Sequence, residues 1–117
     1  LKEEKTMGLF EMFKGGASTD EISYNNLVAA LQAKAVALVD VREPGEYAAG
    51  HVEGAVNLPL SRFDANLLPK GEPVVLMCRS GARSAQALAK ARAAGLSDVR
   101  HYKGGCMGWS SVGGNLV

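Results

Sequence analysis

Val74-Val75-Leu76-Met77-Cys78-Arg79-Ser80-Gly81-Ala82-Arg83-Ser84 decides the fold. Four apolar residues in a row, with no polar alternation, predict a strand buried on both faces, as in a parallel sheet. The Ala-rich stretch from Ser84 to Ala94, with Leu88 among small residues and Gly95 at its end, predicts a helix. A buried strand that passes into a helix through a tight polar turn is one half-unit of an α/β fold.

The same signals recur on either side. Upstream, Val36 to Val41 is a second apolar run, broken only by Asp40, and predicts another buried strand. Ser23 is placed to cap a helix that carries Leu27, Val28 and Leu31 on one face. Pro44 suits the first turn of a short helix and Gly50 its left-handed end. Ala55 to Leu58 then reads as a short strand closed by Pro59, and a short helix is expected from Arg62 to Leu67. The turn Lys70-Gly71-Glu72-Pro73 leads into the strand quoted above, and Val99 to Tyr102 is the last strand. Together these predict a doubly wound, mostly parallel sheet of about five strands with helices on both faces. Residues 1–17 stand apart, with charges at Lys2 to Lys5, an apolar cluster of Leu9, Phe10, Met12 and Phe13, then Gly15-Gly16. They are expected to form a tail or a short appended helix ahead of one domain at 18–117.

Composition narrows the function. A length of 117 residues suits a single domain, and 47% hydrophobic with 21% charged residues supports a packed core rather than disorder. Lys and Arg number 13 against 12 Asp and Glu, a net charge of +1 with no long single-sign run, which argues against nucleic-acid binding and a polybasic membrane surface. No apolar run approaches the roughly 20 residues that span a bilayer. The expectation is a soluble monomer of the cytoplasm, or of the periplasm if a signal peptide was removed. Two cysteines, Cys78 and Cys106, are too few for a disulfide framework and lack CxxC spacing.

The chemistry is concentrated at Cys78. In a parallel sheet, ligands gather at the carboxyl ends of strands, where loops run into helix N-termini, and Cys78 is set at such a junction. Three effects are expected to lower its pKa: the helix dipole, backbone N–H groups curling around the sulfur, and the charges of Arg79 and Arg83. Gly81 permits the positive φ that lets successive amides converge into an anion-binding nest.

The chain resembles a single rhodanese-like domain, of the thiosulfate sulfurtransferase family, from about Glu21 to Trp109. Three segments carry the resemblance: Asp40-Val41-Arg42-Glu43 followed by Glu46-Tyr47 and Gly50-His51-Val52-Glu53-Gly54-Ala55-Val56-Asn57; the loop from Cys78 to Ser84; and Gly104-Gly105 with Trp109. The resemblance implies a doubly wound α/β sheet and a cysteine that carries transferable sulfur as a persulfide. Cys78 matches that nucleophile. Arg79, Ser80, Gly81, Ala82 and Arg83 match the loop that cradles the sulfur, and Arg79 and Arg83 match positions that help hold an anionic donor. The implied reaction moves sulfur from thiosulfate or a similar small anion to cyanide, a thiol or a protein acceptor, with no metal or organic cofactor.

Cysteine phosphatases and arsenate reductases place five residues between Cys and Arg, whereas Cys78 and Arg83 enclose four, Ser84 stands where their arginine would fall, and Met77 rather than His precedes the cysteine. The remaining alternative is a persulfide relay or regulatory module acting on a protein partner. Asp40 reads as a structural brace for Arg42, and His51 as a turn-fixing hydrogen bonder. His101 has no evident partner. Cys106 reads as a small, partly buried residue, with resolution of a Cys78 persulfide as the alternative. Cys78, Cys106, His51 and His101 are too scattered to be expected as a zinc site.

Overall fold

A computed structural model describes residues 20–117, so the tail or helix expected at 1–17 lies outside the described residues. Helix α1 spans Tyr24–Gln32, strand β1 Ala37–Asp40, α2 Pro44–Ala49, β2 Val56–Asn57, β3 Val74–Met77, α3 Ala82–Ala93, β4 Val99–His101 and α4 Gly105–Ser111. The sheet is parallel throughout, in the order β2-β1-β3-β4. The edge beside β4 holds a fifth segment reduced to one parallel bridge, Glu21 with His101. It stays that short because Ser23, two residues on, already caps α1 by accepting from the Asn26 N–H at 3.1 Å.

Residues of β1 and β3 alternate between two apolar layers, as a strand's period of two requires. Leu38, Val75 and Met77 face α1 and α4, where Leu27, Ala30 and Trp109 pack. Val39, Leu76 and Cys78 face α3, where Ala87, Leu88 and Ala91 pack. Covering both faces is what lets the strands be apolar without interruption.

Four expectations change in detail. Gly50 ends α2 with φ 160°, extended rather than left-handed. Its carbonyl accepts from Arg42 Nη2 at 2.7 Å, and His51 then exchanges two backbone hydrogen bonds with Val117, at 3.1 and 2.7 Å, so the chain must leave the helix straight. The helix expected over Arg62 to Leu67 is two 3₁₀ turns, Leu60–Arg62 and Ala65–Leu67, separated where Asp64 turns its carboxylate onto the Asn66 N–H. Helix α3 begins at Ala82, two residues before the expected start, which brings the Ser84 N–H into its first turn. The glycine-rich stretch after Tyr102 contains helix α4, which low glycine propensity hides; its Cys106 and Met107 N–H groups donate to the Cys78 and Arg79 carbonyls at 2.8 and 3.0 Å.

Asp40 explains why a carboxylate interrupts β1. It is fully buried and accepts from the Arg42 N–H and Nε at 3.0 Å and from Nη2 at 2.7 Å. Asn57 fastens the same corner by donating to the Asp40 and Arg42 carbonyls at 3.0 and 2.8 Å. Asp40→Ala leaves a buried guanidinium without its counter-charge, and should lower unfolding free energy by about 3–5 kcal/mol in urea titration. A loss below about 1 kcal/mol would show that the pair bears no structural load.

Candidate active site

The chain leaves β1 toward one edge of the sheet and β3 toward the other, so a crevice opens between their carboxyl ends. Arg42 and Glu46 follow β1 into it, and the loop from Cys78 to Arg83 follows β3. Two glycines make the loop possible. Gly81 has φ +107°, and a Cβ there would stand 2.5 Å from the Lys103 carbonyl oxygen. Gly105 has φ +65°, and its Cβ would collide with the Arg79 carbonyl. Helix α4 can therefore approach closely enough to clamp the loop from below.

The Cys78 side chain is buried, 1% exposed. Its sulfur accepts from the Gly81 N–H at 3.1 Å and the Ser84 N–H at 3.3 Å, and lies 3.6 Å from the Ser84 hydroxyl. Burial pushes the thiol up, but the Ser84 N–H, the Ser84 hydroxyl and the Gly81 and Ser80 N–H groups outweigh it, leaving the thiol below its ordinary value. Ser84 is therefore a site residue that sequence reasoning treated only as the end of the loop. Its place in the first turn of a helix that faces a cysteine was the available signal. His101, without a partner in the sequence reading, has one here: its Nδ1 lies 2.8 Å from Ser84 Oγ.

The two arginines of the loop are held differently. Arg83 is engaged by Glu46, with Nη1–Oε1 at 2.6 Å and Nη2–Oε2 at 2.9 Å, a bidentate pair that ties α3 to α2. Arg79 is exposed. Amide hydrogens and one hydroxyl come before either charge among the causes that lower the Cys78 thiol, while the attraction between Arg83 and Cys78 raises the Arg83 pKa and so favours the thiolate as a smaller contribution. Ser80 and Ala82 present their side chains to solvent, while Gly81 is buried beneath them.

Cys106 is buried and has its thiol pushed up to about 11, chiefly by burial. His51 bonds through Nδ1 to the Tyr47 carbonyl at 2.8 Å and stacks on the Tyr47 ring at 3.8 Å, which fixes the turn after α2. A cleft of about 730 Å³ opens beside the loop, lined by Arg79, Glu46, Met107 and Leu116 among others. Among the described residues no helix is long and apolar enough to cross a membrane.

The family model for the rhodanese-like domain matches residues 23–112. A curated relative, an uncharacterised protein of Synechocystis, is 44% identical over 84 residues, covering 70% of this chain; the chain spans 47% of that protein, less than half its length. The thiosulfate sulfurtransferase GlpE of Shewanella oneidensis is 31% identical over 96 residues, covering 80% of this chain and 94% of its own. Among solved structures, a rhodanese-related protein of Thermoplasma volcanium superposes with a TM-score of 0.75 at 29% identity, covering 84% of this chain and 97% of that one.

Two predictions follow from the geometry. Ser84→Ala removes the hydroxyl and keeps the amide, so the pH profile of Cys78 alkylation by iodoacetamide should move to higher pH. On its acid limb the rate should drop on the order of tenfold, the worth of one hydrogen bond to a charged acceptor; an unmoved profile would remove the hydroxyl from the site. The second concerns Glu46, whose carboxyl Arg83 holds down at about 2 against an ordinary 4.5. A lowered carboxyl pKa makes the pair's stabilisation complete above the ordinary value and lost as pH falls through about 2. Urea midpoints measured between neutral pH and pH 2 should show a steeper acid decline for this chain than for Glu46→Gln, by a modest amount because the pair is one-third exposed.

Proposed function

The chain belongs to the rhodanese-like domain family, as the match across residues 23–112 shows, and from that premise we propose that it is a sulfurtransferase whose Cys78 carries sulfur as a persulfide. The observation that carries the proposal is a buried sulfur at a strand's carboxyl end receiving amide hydrogens at 3.1 and 3.3 Å. In the first half-reaction the Cys78 thiolate attacks the outer sulfur of a thiosulfonate such as thiosulfate. The new S–S bond forms as the donor's S–S bond breaks, and sulfite departs with the electron pair. In the second, an acceptor such as cyanide or a thiolate takes the outer sulfur, and the bonding pair returns to Cys78. The loop's amides are preorganised to bear negative charge in both steps. Arg79, exposed at the mouth, supplies a cation for the approaching sulfonate. The full-length Shewanella match, itself named a thiosulfate sulfurtransferase, supports thiosulfate as the first donor to try.

The cleft favours a second reading, in which a protein receives the sulfur. At about 730 Å³, with exposed Met107 and Leu116 on its lining, it is far larger and more apolar than thiosulfate requires.

Incubation with thiosulfate should add one sulfur to the intact mass, and addition of cyanide should release it as thiocyanate. Cys78→Ser should lose both, while Cys106→Ser keeps the first. Sulfur loading or turnover by the Cys78→Ser chain would refute the assignment. Loading without cyanide turnover, together with rapid transfer to a protein thiol, would select the relay.

A further inference from the structure

The contact between His101 and Ser84 lies one residue beyond the cradle and is unused by the reaction as written. His101 is the last residue of β4, two positions after Val99 and so on the same face, toward α3. It is buried, 6% exposed, and its Nδ1 is 2.8 Å from Ser84 Oγ, the shortest of the contacts that hydroxyl makes. The others are the Gly81 carbonyl at 3.2 Å and the Cys78 sulfur at 3.6 Å.

A serine hydroxyl has one proton to give. The Gly81 carbonyl only accepts, and its need is already met by the Ala85 N–H at 3.0 Å. A thiolate also only accepts. His101 alone among the three can take either role, so its tautomer decides where the serine proton goes. If Nδ1 accepts, the proton is drawn away along the 2.8 Å contact and the sulfur is left with amides. If Nδ1–H donates, the oxygen is supplied from behind and its proton is free for the sulfur.

We propose that His101 is a positioning residue for Cys78: its Nδ1–H donates to Ser84 Oγ and so turns the Ser84 proton onto the sulfur. The chain Nδ1–H to Oγ–H to S⁻ is aligned for the thiolate, and its polarity reverses when the sulfur is protonated, S–H to Oγ–H to Nδ1. Each ionisation state of Cys78 is thus matched by one neutral tautomer of His101. Burial favours a neutral ring by pushing the His101 pKa down, with Asp20 and Glu21 pulling the other way and Lys103 reinforcing burial. On the sulfur's side the neighbouring guanidinium, Arg83, is held by Glu46.

The proposal rests on the reading of Cys78 as the reactive thiol, and its test uses no sulfur donor, so its failure is distinguishable from failure of sulfur transfer. The readout is the pH profile of iodoacetamide alkylation in the Cys106→Ser background. His101→Leu should shift the profile to higher pH, lowering the acid-limb rate several-fold. His101→Asn, whose amide sits where Nδ1 does, should restore it, and His101→Gln, which reaches the Nε2 position instead, should not. Because His101 acts through Ser84, the double variant with Ser84→Ala should be no slower than Ser84→Ala alone. An unshifted Leu profile, additive losses in the double variant, or rescue by Gln rather than Asn would each overturn it. Should the Leu chain not fold, the Asn and Gln comparison decides alone.

Discussion

A thiolate can be kept inside a protein only if hydrogen-bond donors replace the water it has lost, and the architecture around Cys78 follows from that requirement. The donors are backbone amides, so the loop must curl until the Gly81 and Ser84 N–H groups converge on one atom. Curling demands φ +107° at Gly81, which a side chain rarely tolerates, and the carbonyls turned outward by the curl need partners of their own. Helix α4 supplies them through the Cys106 and Met107 amides, and can come near enough only because residue 105 has no Cβ. The glycines at 81 and 105, far apart in sequence, therefore serve one geometry.

Charge around the site is arranged in closed pairs. Asp40 neutralises Arg42 within the crevice floor, and Glu46 neutralises Arg83 across its wall. The second pair joins α2, which follows β1, to α3, which follows β3, so it fixes the width of the crevice as well as its field. Outside these pairs, an incoming anion is offered Arg79 at the mouth and the amides at the bottom. The proposed donor thus meets the exposed Arg79 side chain first and oriented dipoles last. In the proposed reaction such an order favours delivery of the outer sulfur to Cys78 over tight retention of the sulfonate, since binding the donor and the transition state equally would leave the barrier between them unchanged.

The central strand, the turn and the helix after it were legible because each is a local pattern. Four apolar residues, a glycine at the turn and an Ala-rich run act within a dozen positions. Asp40 was legible as a brace for a similar reason, since a carboxylate inside a buried strand needs a partner and Arg42 is two residues away. Contacts spanning longer separations were not. Nothing near Arg83 announces Glu46, 37 residues earlier, so the arginine read as free to hold an anion. Nothing near Ser84 announces His101, 17 residues later. Helix α4 was hidden for a different reason: glycine propensity argues for a loop, and it took carbonyl acceptors from the Cys78 loop, absent from any local window, to outweigh it.

The two cysteines separate burial from hydrogen bonding within one molecule. Cys78 and Cys106 are both buried, at 1% and 5% exposure, and lie in adjoining segments joined by the Cys106 N–H to Cys78 carbonyl bond of 2.8 Å. Burial raises both thiols, and in Cys106, where it meets little resistance, the result is about 11. In Cys78 the same cause is overcome, and the difference lies in the amides and hydroxyl aimed at its sulfur. Proximity to arginine does not explain the contrast, because Arg42 acts on Cys106 to lower it and still leaves it high. The field that prepares Cys78 is therefore chiefly one of fixed dipoles, which unlike mobile side-chain charges need not reorganise when a sulfur arrives or leaves. A persulfide displaces the negative charge outward by one bond, and only a concave array of donors along the loop can follow it there. In the proposed reaction Arg79 then serves the approaching donor, while stabilisation of the sulfur belongs chiefly to the backbone and to Ser84.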